Sequence, residues 1–210
     1  MRYLLQLPTV YDSARRYPLW LALHGAFATA EQMVERLGRA AGRRGAILLA
    51  PQASRPCGDG FCWSFARDAE GIDRLLAGLP YALDRASSAL VGYSMGCTMG
   101  GWVLGRHPET FGLYAAVGMG SAFEPWELDD GGIDRTALGE AAGHTRFFLA
   151  VDRLDPGGSD DYFDDNLRQF ADKGFACSTY RPSKATHDFT DAMRRQILRL
   201  LPAADRDNPK

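Results

Sequence analysis

Short apolar runs of strand length alternate along the chain with segments of helical spacing. Residues 18–24 read PLWLALH and residues 46–50 read AILLA, with little polar alternation in either run. Strands that are apolar throughout are typical of a parallel sheet covered by helices on both faces. The expected strands are 18–24, 46–50, 89–93, 113–117, 147–151 and 176–180. The expected helices are 30–44, 68–79, 95–105, 161–173 and 188–201. The sequence thus predicts an α/β fold with a doubly wound, mostly parallel sheet.

The chain length favours a single domain. Its 210 residues can bury a substantial core without a second domain. We assign residues 1–202 to this domain and residues 203–210 to a polar tail. Residues 121–143 are rich in Gly and Asp and weakly periodic, which predicts an irregular excursion from the sheet, near the site.

Composition and charge exclude several classes of function. The formal net charge is −2 and the arginines are scattered, so no basic block indicates nucleic-acid binding. No apolar run has the length that a membrane span requires. The N-terminal segment lacks a long apolar region and a small-residue cleavage site, so we expect a cytoplasmic protein. Composition leaves the oligomeric state open.

The four cysteines are too few for a disulfide scaffold in a chain of this length. Cys57 and Cys62 flank a four-residue segment, and a loop disulfide or two free thiols both fit this spacing. A zinc site is disfavoured, because neither a second close pair nor a nearby histidine completes the ligand set. Cys97 and Cys177 lie in apolar surroundings and are expected to be small buried side chains.

Residues 92–96 read GYSMG and match the pattern G-x-S-x-G between an expected strand and an expected helix. A tight turn there needs glycines, because side chains at Gly92 and Gly96 would collide with neighbouring backbone. The turn would project the Ser94 hydroxyl outward, beside a helix N-terminus that stabilises negative charge. A plain helix N-cap is the alternative role of this serine. The context favours Ser94 as a catalytic nucleophile.

A second segment, LHGA at residues 23–26, directly follows the first expected strand. Its place predicts a backbone donor for an oxyanion hole, with Ala26 N–H acting beside Met95 N–H. Phe27 would then stand at the pocket wall. We interpret His24 as a structural residue that hydrogen-bonds this loop, since it precedes the nucleophile and lies at a strand end.

A serine hydroxyl needs a base within hydrogen-bond reach to become a good nucleophile. His187 lies late in the chain, between the last expected strand and the last expected helix, and suits this role. His107 ends a helix and His144 lies in the excursion, so both fit less well. The alternative for His187 is an exposed residue that caps the last helix.

The acid that orients His187 is expected after the strand at 147–151. Asp155 suits this position best. Asp152 and Asp160 are the rivals, although Asp152 lies close to the strand end and Asp160 fits the first turn of the next helix.

Four features together resemble the α/β-hydrolase superfamily: LHG at 23–25, GYSMG at 92–96, Asp155 and His187. The nearest resemblance is to the phospholipase/carboxylesterase group and to polyhydroxybutyrate-depolymerase-like esterases. Relatives in these groups also carry a Cys-Trp-aromatic stretch before the nucleophile, similar to residues 62–65 here. Asp152 stands where a glycine often begins the G-x-x-D acid motif, and the second glycine common after HG is absent.

The resemblance implies hydrolysis of a small-molecule carboxylic ester through an acyl-enzyme on Ser94, with no metal and no organic cofactor. A short chain leaves little room for a large lid, which favours small to medium acyl groups. Phe27, Trp63 and Trp126 are the candidate walls of the substrate pocket. The alternatives are a thioesterase, peptidase or acyltransferase using the same site, or a binding module without catalytic activity.

Overall fold

The computed structural model describes residues 1–119, 135–156, 159–184 and 186–201. The strands of these residues are β1 (Tyr3–Gln6), β2 (Leu19–Leu23), β3 (Ile47–Pro51), β4 (Arg55–Cys57), β5 (Gly60–Cys62), β6 (Ala89–Tyr93), β7 (Leu113–Val117), β8 (Arg146–Ala150) and β9 (Cys177–Tyr180). The helices are α1 (Ala30–Arg43), α2 (Phe65–Ala77), α3 (Met95–Arg106), α4 (Arg135–Ala141), α5 (Asp160–Ala171) and α6 (Asp191–Leu200). Every strand and helix expected from the sequence is present, with ends shifted by at most three residues.

Seven strands form one sheet in the order β1-β3-β2-β6-β7-β8-β9. All neighbouring pairs are parallel except β1 with β3. The order runs outward from β2 and β6 in both directions, which is the doubly wound, mostly parallel arrangement that the sequence predicted.

The two faces of the sheet bury separate apolar clusters. Along β2, Leu19, Leu21 and Leu23 contribute to one cluster, and Trp20 and Ala22 contribute to the other. The first cluster packs against α2, α3, α4 and α5, and the second packs against α1 and α6. Helices on both sides explain the absence of polar alternation, because successive side chains of a strand point to opposite faces.

Four elements were not predicted. The edge strand β1 is half-exposed and too short to give a clear pattern. The hairpin of β4 and β5 has only three residues on each side. Helix α4 lies within 121–143, so the predicted irregular excursion is wrong for residues 135–141. Leu138 and Ala141 are buried, and their helix packs against α3.

Helix α6 begins three residues later than expected. Thr190 caps it by accepting a hydrogen bond from the backbone N–H of Met193, at 3.3 Å. Residues 188–190 therefore remain in the loop that carries His187. No helix among the described residues combines the length and apolar character needed to cross a bilayer.

Candidate active site

The parallel strands present their carboxyl ends at one edge of the sheet, where ligands bind in folds of this type. Ser94 follows β6 at this edge and adopts φ 51° and ψ −123°, a left-handed conformation that costs about 1–3 kcal/mol outside glycine. A Cβ at Gly92 would lie 2.6 Å from the Gly96 oxygen, and a Cβ at Gly96 would lie 2.3 Å from the Leu23 oxygen. Both glycines are therefore required for this turn to form.

A chain of hydrogen bonds joins three side chains from different loops. The distance from His187 Nε2 to Ser94 Oγ is 2.7 Å, and that from His187 Nδ1 to Asp155 Oδ2 is 2.8 Å. A carboxylate can only accept, so Nδ1–H donates to Asp155 and Nε2 faces the serine hydroxyl with its lone pair. The Asp155 side chain is 1 % exposed, whereas that of His187 is 41 % exposed. A buried carboxylate thus fixes the tautomer of a histidine that solvent reaches.

Of the three candidate acids, Asp155 is the one that contacts His187. The Asp152 carboxylate instead accepts hydrogen bonds from the backbone N–H groups of Leu154, at 2.9 Å, and Lys184, at 3.0 Å. Asp160 lies in the first turn of α5 and pairs with Arg181. Asp152 therefore joins the loop of Asp155 to the loop that leads to His187, while Asp160 lies on the exposed side of α5.

The expected oxyanion donors belong to two segments beside Ser94. Met95 is the first residue of α3, and backbone N–H groups in the first turn of a helix have no partner within the helix. Ala26 follows Gly25, where a Cβ would lie only 3.1 Å from Ser94 Cβ. The loop after β2 therefore passes directly against the nucleophile candidate. Phe27, the next residue, has φ 60°.

His24 supports this loop from inside the protein, which confirms its predicted structural role. Its side chain is fully buried, and Nδ1–H donates to the Gly25 carbonyl at 2.7 Å. Nε2 accepts from the Ala53 N–H at 3.1 Å and from the Gln52 amide at 2.9 Å. The other end of that amide, Oε1, accepts from Ala30 N–H, so its nitrogen faces the ring. Burial lowers the pKa of His24, and the ring stays neutral in this network.

The expected pocket walls have different positions. Trp63 is 1 % exposed, stacks on the His24 ring at 4.8 Å, and donates from Nε1 to the His24 carbonyl at 2.7 Å. It therefore supports the loop from below, and its burial removes it from the surface that a substrate reaches. Phe27 is 66 % exposed and remains available at the rim. Trp126 lies outside the described residues.

The hairpin of β4 and β5 packs under the same loop. Cys57 and Cys62 are joined by a disulfide across this hairpin. The sequence allowed either a disulfide or two free thiols, and the structure has the disulfide. Phe61 N–H donates to the Ala28 carbonyl at 3.1 Å. A Cβ at Gly60 would lie 2.4 Å from the Phe27 backbone. The hairpin thus holds the far end of the loop that begins at His24.

Two further residues contact His187 and were not singled out in the sequence. The Tyr93 hydroxyl donates to the His187 carbonyl at 2.9 Å, and its ring stacks on the imidazole at 5.4 Å. Gly118, with φ 61°, lies beneath both rings. The position of Tyr93 next to Ser94 in the GYSMG motif was the available signal.

Within residues 1–119, 135–156, 159–184 and 186–201, no group of three or more His, Cys, Asp or Glu side chains is placed to hold a metal ion.

Comparisons with known proteins give structural neighbours only. No family model and no curated protein sequence matches the chain. A carboxylesterase of Bacillus cereus superposes with a TM-score of 0.73 at 14 % identity, covering 96 % of this chain and 93 % of that one. Acyl-protein thioesterase 2 of Zea mays superposes with a TM-score of 0.70 at 13 % identity, covering 95 % of this chain and 97 % of that one. A phospholipase/carboxylesterase of Dyadobacter fermentans superposes with a TM-score of 0.67 at 15 % identity, covering 95 % of each chain.

At such low identity the likeness establishes architecture and does not transfer activity. The neighbours match this chain over nearly their full lengths, so the agreement extends beyond a shared βαβ unit. Strand order, the turn at Ser94 and these neighbours agree: the chain has the α/β-hydrolase fold.

Proposed function

We propose that this protein is a serine hydrolase that cleaves carboxylic esters through Ser94, His187 and Asp155. The observation that carries the proposal is the continuous hydrogen-bond chain from the Asp155 carboxylate to the Ser94 hydroxyl. A nucleophile, a base and a group that orients the base are the parts that acyl transfer from a serine requires.

In the first half of the reaction, Ser94 Oγ attacks the ester carbonyl while His187 Nε2 takes the hydroxyl proton. The Ala26 and Met95 N–H groups stabilise the oxyanion of the tetrahedral intermediate. The imidazolium, stabilised by the Asp155 carboxylate, then gives its proton to the departing alcohol, and an acyl-enzyme remains on Ser94.

In the second half, His187 takes a proton from water as the water oxygen attacks the acyl-enzyme carbonyl. The second tetrahedral intermediate collapses, Ser94 Oγ leaves with the proton from His187, and the carboxylic acid is released. His187 carries each proton that is transferred in this cycle, and the proposed mechanism requires no metal and no organic cofactor.

Phe27 is the candidate for substrate contact, because it is exposed and follows the proposed oxyanion donor Ala26. An apolar side chain at this rim favours an apolar acyl or alcohol group beside the reacting carbonyl. The substrate class we propose is a small to medium ester.

A thioesterase is the second candidate, because a serine, a histidine and an aspartate in this arrangement suit attack on a thioester as well as on an ester, and a thioesterase of Zea mays is among the proteins with this fold. The same residues would attack a thioester carbonyl. The two activities differ in the leaving group, so matched oxygen and thiol esters of one acyl chain separate them.

The cytoplasmic location expected from the sequence stays a prediction. The disulfide between Cys57 and Cys62 counts against it, because disulfides persist mainly in oxidising compartments.

The test uses p-nitrophenyl esters of graded acyl length, with the thioesters of the same acids in parallel. We expect turnover with a burst of p-nitrophenol where deacylation is slow, and no turnover by Ser94→Ala. A preference for the thioester series in kcat/KM would favour the second candidate. A folded wild-type protein that hydrolyses neither series would refute the proposal and favour a binding module.

A further inference from the structure

We propose that Tyr93 is a positioning residue for His187. The effect of this role on catalysis rests on the proposed function. Two separate contacts support it: the phenol O–H donates to the backbone carbonyl of His187, and the ring lies against the imidazole. One contact fixes the main chain at His187, and the other fixes the plane of the side chain.

Rigid elements hold Tyr93 in place. It is the last residue of β6, in the centre of the sheet, and pairs with Val117 of β7. Gly118 follows β7, and a Cβ there would lie 3.3 Å from both Tyr93 Cε2 and His187 Cε1. The two rings therefore pack so closely over Gly118 that a side chain at this position would be crowded. The end of a strand therefore positions His187 more precisely than the irregular loop of residues 186–190 could by its own contacts.

The loop after His187 is fixed from the opposite direction. Arg36 of α1 donates from Nη1 to the Phe189 carbonyl at 2.9 Å and pairs with Asp188 at 3.3 Å. Its guanidinium also lies over the Tyr93 ring, at 5.2 Å from the centroid. Tyr93 thus belongs to a cluster that holds this loop at three consecutive residues.

The phenol remains a donor at any working pH, because burial raises the pKa of Tyr93 to about 12. The ring can also stabilise positive charge on the imidazole, since an aromatic face attracts a cation. Among the described residues, the charged or titratable groups around this cluster are Asp155 at Nδ1 of His187, Asp188 in the loop, Arg36 from α1 and the buried Cys97 of α3.

Two substitutions separate the roles of the hydroxyl and the ring. Tyr93→Phe removes the hydrogen bond and keeps the ring, so we expect kcat to fall about tenfold with KM little changed. Tyr93→Leu removes both, so kcat should fall further. The conservative variant Tyr93→Phe, which keeps the ring, should therefore retain more of the wild-type kcat than Tyr93→Leu, while KM stays close to the wild-type value in both.

Tyr17→Phe is the matched control. Its hydroxyl also bonds main chain, accepting from the Asp12 N–H at 2.7 Å, and it lies before β2, at the opposite end of the strand from the site. This variant should retain the kcat and KM of the wild type.

NMR of the His187 ring keeps this inference separate from the proposed function. We expect the ring ¹H chemical shifts of His187 to change in Tyr93→Leu, because the stacked aromatic ring is lost, and to keep their wild-type values in Tyr17→Phe, whether or not the protein hydrolyses esters. The His187 signal is assigned by its loss in His187→Gln. An unchanged kcat in Tyr93→Phe together with unchanged His187 ring shifts in Tyr93→Leu would overturn the inference. A wild type without esterase activity but with the expected change in ring shifts would refute the function alone.

Discussion

Asparagine substitutions at three neighbouring aspartates should separate a loss of activity from a loss of stability. At Asp155, the change keeps the shape of the side chain but removes the charge that stabilises the imidazolium, and its amide can stabilise the wrong tautomer of His187. The same change at the buried aspartate of serine proteases lowers kcat about 10⁴-fold. The Asp155 side chain is equally sheltered at 1 % exposure and bonds Nδ1 at 2.8 Å, so we expect a loss near that size.

At Asp152, the main expected loss is in stability. Both carboxylate oxygens accept backbone N–H groups, and the side chain is buried. An asparagine amide would face one of these donors with another donor and leave a buried N–H unsatisfied, which costs about 1–3 kcal/mol. We expect the free energy of unfolding of Asp152→Asn to fall by about 2 kcal/mol, with a smaller loss of activity through a looser His187 loop.

Asp160→Asn is the surface control. Its side chain is 76 % exposed, and exposed ion pairs contribute little to stability. We expect this variant to match the wild type in both measurements.

The assay measures kcat/KM with p-nitrophenyl acetate and the free energy of unfolding by urea titration for all three variants. The expected pattern is a large activity loss at 155, a stability loss at 152 and neither at 160. If kcat/KM falls furthest at Asp152 or Asp160, the assignment of the acid is wrong, while the roles of serine and histidine are unaffected.

Three further predictions concern the supports of the site. Gly96→Ala should abolish activity, because its Cβ would lie 2.3 Å from a backbone oxygen. At Gly139 a Cβ would meet no atom of the described residues within 4 Å outside its chain neighbours and its own helix, so Gly139→Ala should leave kcat unchanged; equal kcat in the two variants would refute the packing argument. The lowered pKa of His24 means that the unfolded chain binds a proton where the folded chain does not, so stability should be complete above pH 6.5 and fall below it, by at most about 1.4 kcal/mol per pH unit. Urea titrations from about pH 7 to about pH 5 test this, and the same slope in His24→Gln would contradict it. Reduction of the Cys57–Cys62 bridge should lower the free energy of unfolding by about 2 kcal/mol for so short a loop, and protein denatured without reductant should show two free thiols; four would mean that no bridge forms.

The sequence predicted the features that local chemistry determines. The turn at residues 92–96 could be recognised because its glycines, its serine and its flanking strand and helix are consecutive. Likewise, the apolar runs identified the strands, because burial on both faces of a sheet leaves a pattern within each run.

The sequence alone could not decide between neighbouring candidate residues where the answer depends on distances between loops. Asp152 and Asp155 both follow β8, and what separates them is a turn in which Asp155 N–H donates to the Asp152 carbonyl at 3.1 Å. That turn places one carboxylate toward His187 and the other toward Lys184. The position of Trp63 could not be predicted either, since the sequence does not distinguish an aromatic residue in a pocket wall from one in the core.

Short elements and single contacts could not be predicted from the sequence either. Helix α4 spans seven residues, too few to show a helical period among the glycines and aspartates around it. Tyr93 lies beside Ser94 at a variable position of the serine motif, and this position alone does not reveal that its hydroxyl contacts a histidine 94 residues away.

Ser94 is the proposed nucleophile, and His187 is the base proposed to activate it. Labelling with a fluorophosphonate, followed by mass spectrometry of the digested protein, tests both roles. We expect one adduct, on Ser94, no labelling of folded Ser94→Ala, and labelling of His187→Ala slowed by several orders of magnitude. An adduct on another serine such as Ser64, or wild-type labelling rates in His187→Ala, would contradict these roles.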